Sequence, residues 1–122
     1  NGAEIVAMHK NKYWHSGNGL TLDLGAFVAA LEFATEKEAV VIGKPNPHLF
    51  QLAVKPWGLS FQSIYMVGDD IKGDIGGANN VGMQSILVKT GKYREESLKR
   101  SEITPDFIIN SVADLPELLQ LN

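Results

Sequence analysis

The feature that most constrains this chain is an acidic turn that directly follows an apolar run. Residues 64–67 are mostly apolar, and residues 68–74 then bring three carboxylates, Asp69, Asp70 and Asp74, within six positions. Carboxylates at this spacing repel one another unless a cation lies among them. In parallel α/β sheets, ligands bind at the carboxyl ends of the strands. The pattern therefore predicts a buried strand of a parallel α/β sheet that ends in half of a metal site.

Within this acidic turn, Asp69 is the leading candidate for a metal ligand. Mg²⁺ is the expected ion, because it prefers carboxylate oxygens and often shares its coordination shell with a phosphate. Asp74 lies about one turn into the following helix, so its side chain is predicted to point back toward the strand end and to support the same metal. Asp70 is better explained as the N-cap of that helix. The simpler alternative is an acidic helix N-terminus, where carboxylates interact favourably with the helix dipole.

A second candidate lies at the end of an earlier apolar run. Lys44 stands between Gly43 and Pro45, directly after residues 39–42. A lysine in this position can act as a point charge that neutralises a phosphoryl group or a cluster of carboxylates. Taken alone, Lys44 is better explained as a surface lysine before a turn. Together with the three aspartates, it is predicted to be functional, as a catalytic and substrate-binding residue.

Composition excludes several classes of function. The chain has 122 residues, a formal net charge of −3 and no cysteine. This balance provides no basic surface for nucleic acid and no polybasic patch for a membrane. Without cysteine, neither disulfides nor thiolate chemistry applies, and a cytoplasmic location is the simplest expectation. The chain begins at Asn1 rather than at methionine, which suggests a fragment or a processed chain.

Residues 1–42 are predicted to form one unit. Residues 4–9 are predicted to be a strand that pairs as a hairpin with residues 13–15, followed by a loop at residues 16–19. Asp23 is predicted to cap a helix. The inward positions of this helix follow a helical spacing in the sequence: Phe27, Val28, Leu31 and Ala34.

Residues 43–122 are predicted to form a second unit. From residue 39 onward, strands and helices alternate with short connections, which indicates a doubly wound α/β layer whose first strand, residues 39–42, is buried. A helix is predicted from Pro47, capped by Asn46, with four residues turned inward: Leu49, Phe50, Leu52 and Ala53. The remaining predicted elements are strands at 64–67, 85–88 and 107–109, helices at 71–81 and 95–99, and a last helix capped by Ser111.

Other conspicuous residues are assigned structural roles. The three histidines show no spacing typical of zinc ligands: His9, His15 and His48. The large aromatic residues are expected to pack in the interior: Tyr13, Trp14 and Trp57. Gly76 and Gly77 are expected to allow close packing of a helix on the sheet. The basic loop at residues 89–92 follows a strand and is a weak signal for anion binding.

Four motifs in this order resemble the haloacid-dehalogenase superfamily. They are Gly43-Lys44-Pro45, Val67-Gly68-Asp69-Asp70-Ile71-Lys72-Gly73-Asp74, Gly76-Gly77-Ala78 and Val88-Lys89-Thr90-Gly91. The resemblance covers nearly the whole chain and is closest to the NagD-like branch, which includes the phospholysine phosphohistidine inorganic pyrophosphate phosphatases. Lys44 matches the third motif of the family, and the GDxxxxD pattern at residues 68–74 matches the fourth.

This resemblance implies a Mg²⁺-dependent phosphatase that acts through an aspartyl-phosphate, in which a carboxylate is the nucleophile. By the match of motifs, Asp69 binds Mg²⁺, Asp74 supports the metal and Lys44, and Lys44 steadies the nucleophile and the phosphoryl charge. The expected substrate is a small phosphorylated compound. The expected fold is a partial Rossmann-like parallel sheet (residues 43–122), and residues 1–42 are expected to be the C-terminal piece of a cap domain.

One departure from the family pattern is large. The first family motif, DxDxT or DxDxS, supplies the nucleophile and the general acid/base, and this chain contains no DxD sequence. We therefore expect the chain to correspond to the C-terminal half of such an enzyme and to be inactive alone. The alternative is a non-catalytic fragment that binds metal or a partner. A phospho-accepting receiver domain is disfavoured because Lys44 precedes the aspartates.

The missing first motif has a consequence for association. In the family, the strand that carries it lies beside the strand at residues 64–67, so its absence exposes a sheet edge. An unpaired edge favours pairing with another chain. We expect association with a second copy, as a homo-oligomer, or with the N-terminal half of the enzyme.

Overall fold

The computed structural model describes residues 2–121, and its largest sheet has three parallel strands in the order β5-β6-β7. These strands are Tyr65–Gly68 (β5), Gln84–Val88 (β6) and Phe107–Ile109 (β7). In the central strand, Ile86 and Leu87 are fully buried, as expected for a parallel strand covered on both faces. The α/β class is confirmed, and each of the three strands lies within one residue of its predicted position.

Four helices accompany this sheet: Pro47–Val54 (α2), Glu95–Lys99 (α4), Leu115–Leu118 (α5), and Gly77–Val81 (α3), which continues a π-helical turn at Ile71–Gly76. The predicted start of α2 is confirmed, since Asn46 Oδ1 accepts a hydrogen bond from His48 N at 2.9 Å and Pro47 is the first helical residue. Ser111 caps the last helical segment, and Asp114 completes a capping box there.

The hydrophobic core lies between α2, α3 and the β5-β6 side of the sheet. Its buried residues are Phe50, Val54, Ala78 and Met83, and partly buried residues such as Ile64 and Met66 pack against them. Three residues of α2 that were predicted to face inward are instead exposed: Leu49, Leu52 and Ala53. The helix buries only the stripe that contains Phe50 and Val54, because these two residues, one turn apart, face α3 and the sheet.

Gly77 lies at the contact between α2 and α3. A methyl group at Gly77 would place a carbon 2.5 Å from the ring of Phe50, so only glycine permits this approach. At Gly76, the nearest side chain is that of Ile103. These glycines were predicted to let a helix pack closely on the sheet. That prediction is wrong in detail, because the nearest side chains belong to α2 and to the segment before β7 rather than to the sheet.

The first 42 residues contain two small sheets. Val6–Ala7 (β1) pairs in parallel with Val40–Val41 (β4), and Tyr13–Ser16 (β2) pairs antiparallel with Gly19–Leu22 (β3). The predicted hairpin between residues 4–9 and 13–15 is therefore wrong. The hairpin lies one strand later, because the turn at Gly17-Asn18, followed by Gly19 at φ +113°, reverses the chain between β2 and β3. The side chain of His15 lies outside what the structure describes.

The prediction of a buried strand at residues 39–42 is also wrong. The strand exists as β4, but it joins β1 rather than the three-stranded sheet, and Val40 is exposed. β4 has only one neighbouring strand in its two-stranded sheet, and this leaves part of the strand open to solvent. The β-branched residues of the segment therefore predicted a strand correctly, but they did not predict its burial.

Helix Leu24–Thr35 (α1) follows the hairpin. Its predicted cap is confirmed, since Asp23 Oδ1 accepts a hydrogen bond from Leu24 N at 2.7 Å. Of its four predicted inward residues, only Val28 is buried, and Phe27, Leu31 and Ala34 are exposed because the helix packs through the side that carries Gly25 and Val28.

The large aromatic residues are also exposed, although they were predicted to pack in the interior: Tyr13, Trp14 and Trp57. Each lies at the surface of residues 2–121, two in the β2-β3 hairpin and one in the short 3₁₀ helix after α2. No helix among residues 2–121 has both the length and the apolar character needed to cross a membrane.

Candidate active site

The carboxyl end of β5 and the segment after β4 meet at an ion pair. Lys44 Nζ lies 2.5 Å from Asp74 Oδ1. The carboxylate is almost completely buried, at 5% side-chain exposure, whereas 45% of the lysine side chain is exposed. The predicted orientation of Asp74, back toward the strand end, is confirmed. The structure thus joins the two sequence candidates that lie furthest apart in the chain.

The second oxygen of Asp74 organises the acidic turn. Asp74 Oδ2 accepts hydrogen bonds from the backbone N–H groups of Asp69, at 3.2 Å, and Asp70, at 3.1 Å. A methyl group at Gly68 would overlap the Asp74 carboxylate. Gly68 is therefore required by the close approach of Asp74. Since both oxygens contact protein donors, these contacts give Asp74 a positioning role, and its direct ligation of a metal stays a prediction.

Asp69 is held from the loop that follows β6. Its Oδ2 accepts a hydrogen bond from Lys92 N at 2.6 Å. Gly91 adopts a left-handed conformation with φ +53°, and a methyl group there would overlap Asp69 Oδ2. Within residues 2–121, Asp69 Oδ1 accepts no hydrogen bond. One oxygen of Asp69 is thus fixed by the backbone, and the other can bind a hard cation.

Asp70 caps the helical turn, as predicted. Its Oδ1 accepts hydrogen bonds from Lys72 N at 3.0 Å and Gly73 N at 2.9 Å, and its Oδ2 lies 3.3 Å from Lys92 Nζ. Partial burial raises the pKa of the Asp70 carboxyl. The hydrogen bond from the Gly73 N–H and the charge of Lys92 together lower it by more than burial raises it. The pKa of Asp70 therefore lies below its ordinary value of 3.8. The carboxylate form is therefore the stable one at neutral pH.

A cavity of about 540 Å³ opens over these residues. Its lining includes the charged groups of Lys44, Lys92 and the three aspartates. Four apolar residues also line it: Met8, Ile42, Leu49 and Leu52. A volume of this size lies within the range of small-molecule sites, and its lining combines apolar side chains with a few charged groups.

Two histidines and Lys92 were not assigned to the site from the sequence. His9 and His48 line the cavity, and His9 Nε2 lies 3.8 Å from Asp23 Oδ1. No spacing pattern connects them with the aspartates, because β1 and α2 bring them there through tertiary contacts. Lys92 belonged to the basic loop at residues 89–92, whose weak anion-binding signal was the only available indication.

The donor atoms suit a partial Mg²⁺ shell. Mg²⁺ is commonly held by one or two carboxylates while waters and phosphate oxygens complete its octahedron. Asp69 provides such an oxygen at the carboxyl end of β5. Among residues 2–121, no group of three or more His, Cys, Asp or Glu side chains is arranged to hold a metal ion. The described residues therefore fit part of the coordination shell and require further oxygen ligands.

Comparison with known proteins shows the family of the chain. The HAD-hydrolase-like family model matches residues 41–115. The phospholysine phosphohistidine inorganic pyrophosphate phosphatase of Xenopus laevis is 40% identical over 115 residues, which cover 94% of this chain and 43% of that protein. This chain thus spans less than half the length of that relative.

Two solved structures have the same fold. The p-nitrophenyl phosphatase from Archaeoglobus fulgidus aligns with a TM-score of 0.86 and 29% identity, covering 96% of this chain and 47% of that one. The glycerol phosphate phosphatase from Mycobacterium tuberculosis, solved in complex with magnesium, aligns with a TM-score of 0.84 and 33% identity, covering 93% of this chain and 35% of that one.

Proposed function

This chain belongs to the HAD-like hydrolase family, and on that premise we propose that it forms part of a Mg²⁺-dependent phosphatase. The reaction would be hydrolysis of a phosphomonoester or of pyrophosphate through an aspartyl-phosphate. The observation that carries this proposal is the meeting of Lys44, Asp69 and Asp74 at one end of β5. Support also comes from the relatives, several of which bear the names of phosphatases.

Each residue would have a distinct task in this reaction. Asp69 Oδ1 would bind Mg²⁺, which supplies electrostatic stabilisation of the phosphoryl oxygens when it is present. Lys44 would place its ammonium against the phosphoryl charge, since its side chain lines the cavity and is held by the buried carboxylate of Asp74. Asp74 would orient Lys44 through Oδ1 and the backbone of Asp69 through Oδ2.

The nucleophilic aspartate would come from a part of the protein outside these 122 residues. The chain contains no DxD sequence, and it covers 43% of the length of the Xenopus relative. The same observation leaves a second function to test, a non-catalytic fragment that binds metal or a partner. A DxDx[TS] segment elsewhere in the same protein would favour the enzyme, and its absence there would favour the fragment.

Metal-dependent hydrolysis of p-nitrophenyl phosphate by the complete protein tests the proposal. We expect hydrolysis that stops after treatment with EDTA, returns on addition of Mg²⁺, and falls by at least about a hundredfold in Lys44→Ala. Lys55→Ala is the matched control, because Lys55 is exposed and lies outside the cavity. Activity that persists in EDTA, or that is equal in Lys44→Ala and Lys55→Ala, would contradict the proposal.

A further inference from the structure

A second cavity adjoins the candidate active site. It has a volume of about 690 Å³, and its lining includes Lys44, Asp69, residues 10–14 and several residues of the segment 92–101, which contains α4. Lys44, Asp69 and Lys92 line both cavities. We call this second cavity the side groove. A ligand with one phosphate at Lys44 would therefore have room to extend into the side groove.

The lining of the side groove is strongly cationic. It contains seven Lys and Arg side chains but only two carboxylates, those of Asp69 and Asp70. This is the reverse of the whole chain, which has a formal net charge of −3. The positive charge is thus a local property of this groove rather than a consequence of composition.

Most of these cations are not neutralised by the protein. Lys10, Lys44 and Lys92 form ion pairs with carboxylates. In the described part of the chain, the other four lie within 4.0 Å of no carboxylate oxygen: Lys12, Lys72, Arg94 and Arg100. Like charges gathered in a concave surface repel one another and attract a counter-ion of opposite charge. The four unpaired cations are therefore suited to bind an anion.

We propose that the side groove binds a second anionic group of the substrate, so that the site prefers phosphorylated small molecules with a negative charge beyond the phosphate that is cleaved. This inference rests on the proposed phosphatase function for the position of the first phosphate. The size of the groove favours a small molecule, because 690 Å³ lies within the usual range of small-molecule pockets. Lys12 and Arg100, which come from two different segments that line the groove, would contact the second group.

Equilibrium binding tests this proposal without requiring turnover. Isothermal titration calorimetry on the complete protein would compare two matched pairs of ligands, fructose 1,6-bisphosphate with fructose 6-phosphate and ADP with AMP. We expect the ligand with the extra phosphate to bind about tenfold more tightly in at least one pair. We expect this preference to shrink about threefold between 50 and 300 mM salt, because exposed charges are screened.

The double variant Lys12→Gln/Arg100→Gln assigns the preference to the side groove. It should remove most of the tenfold difference and leave the affinity for the ligand with one phosphate within about twofold. The matched control is Lys37→Gln/Lys55→Gln, which changes the net charge equally at two lysines outside both cavities. It should leave the preference intact. Equal affinities within both ligand pairs, or equal effects of the two double variants, would overturn the proposal.

Hydrolysis of p-nitrophenyl phosphate, measured in parallel, separates the two proposals. A protein that prefers the doubly charged ligands but does not hydrolyse p-nitrophenyl phosphate contradicts the phosphatase alone. A protein that hydrolyses it but shows no preference contradicts the side groove alone.

Discussion

Lys44 Nζ lies 2.5 Å from Asp74 Oδ1, although 30 positions separate the two residues in the chain. The contact joins the segment between β4 and α2 to the helical turn after β5. Because Asp74 also binds the backbone of Asp69 and Asp70, one buried carboxylate fixes both a cation and the acidic turn. The stability of the acidic turn and the proposed function therefore depend on the same residue.

Replacement of Asp74 by asparagine is expected to lower the free energy of unfolding by about 2 kcal/mol. The amide would keep one acceptor oxygen but would present an N–H donor to the Lys44 ammonium or to the backbone donors. The estimate is well below that for a fully buried ion pair, because Lys44 is half exposed. Urea denaturation measures the change.

Lys44→Met is the companion variant, since it removes the cation and leaves both backbone hydrogen bonds of Asp74 in place. Its loss should be smaller, below about 1 kcal/mol. Equal losses in the two variants would contradict the smaller effect expected for Lys44→Met.

Replacement of Asp70 by alanine is expected to reduce stability in a pH-dependent way. The pKa of Asp70 is lower in the folded chain than its ordinary value of 3.8, so the carboxylate stabilises the fold above about pH 4. As the pH falls below that value toward the lower folded pKa, the unfolded chain takes up the proton first and the stabilisation is lost. Urea denaturation should show a loss of about 1 kcal/mol in Asp70→Ala at pH 7 and a smaller loss near pH 3. A loss that grew toward pH 3 would contradict this sign.

Replacement of Gly68 by alanine is expected to destabilise the chain by about 2 kcal/mol, since the added methyl group would overlap the carboxylate of Asp74. Gly17→Ala is the control, because no atom lies within 4 Å of a methyl group built there. Thermal or urea unfolding should place the control within about 0.5 kcal/mol of the parent. A tolerated Gly68→Ala would mean that the acidic turn adjusts more easily than its hydrogen bonds suggest.

Association through β5 also stays a prediction. In the described residues, β5 pairs with β6 on one side and with no strand on the other. An open strand edge favours pairing with another chain. Light scattering on the 122-residue chain should therefore show a mass that rises with concentration. A strictly monomeric mass at high concentration would count against this association.

The sequence predicted the three-stranded sheet and the acidic turn well because their signals are local. Apolar runs mark β5 and β6, and the GDxxxxD spacing places Asp74 on the side of the helical turn that faces Asp69. The same reasoning misplaced the hairpin and the burial of β4, since pairing between β1 and β4 links residues more than 30 positions apart. It also missed His9 and Lys92, which reach the site only through tertiary packing.

The exposed apolar residues of α1 have a similar explanation. Helical spacing indicated an inward face, but only Val28 is covered within residues 2–121. A periodic pattern reports which residues could be buried together. It does not report how much of the helix the neighbouring elements cover.

A comparison of Asp69→Asn with Asp70→Asn in the complete protein tests the central claim most directly. The two carboxylates are adjacent in sequence, yet Asp69 keeps an oxygen available to a cation and Asp70 caps a helical turn, a task that asparagine also performs. With Mg²⁺ and p-nitrophenyl phosphate, we expect Asp69→Asn to lower kcat at least about a thousandfold and Asp70→Asn to stay within about fivefold of the parent. Equal activities in the two variants, or a greater loss in Asp70→Asn, would contradict the assignment of Asp69 as the metal ligand.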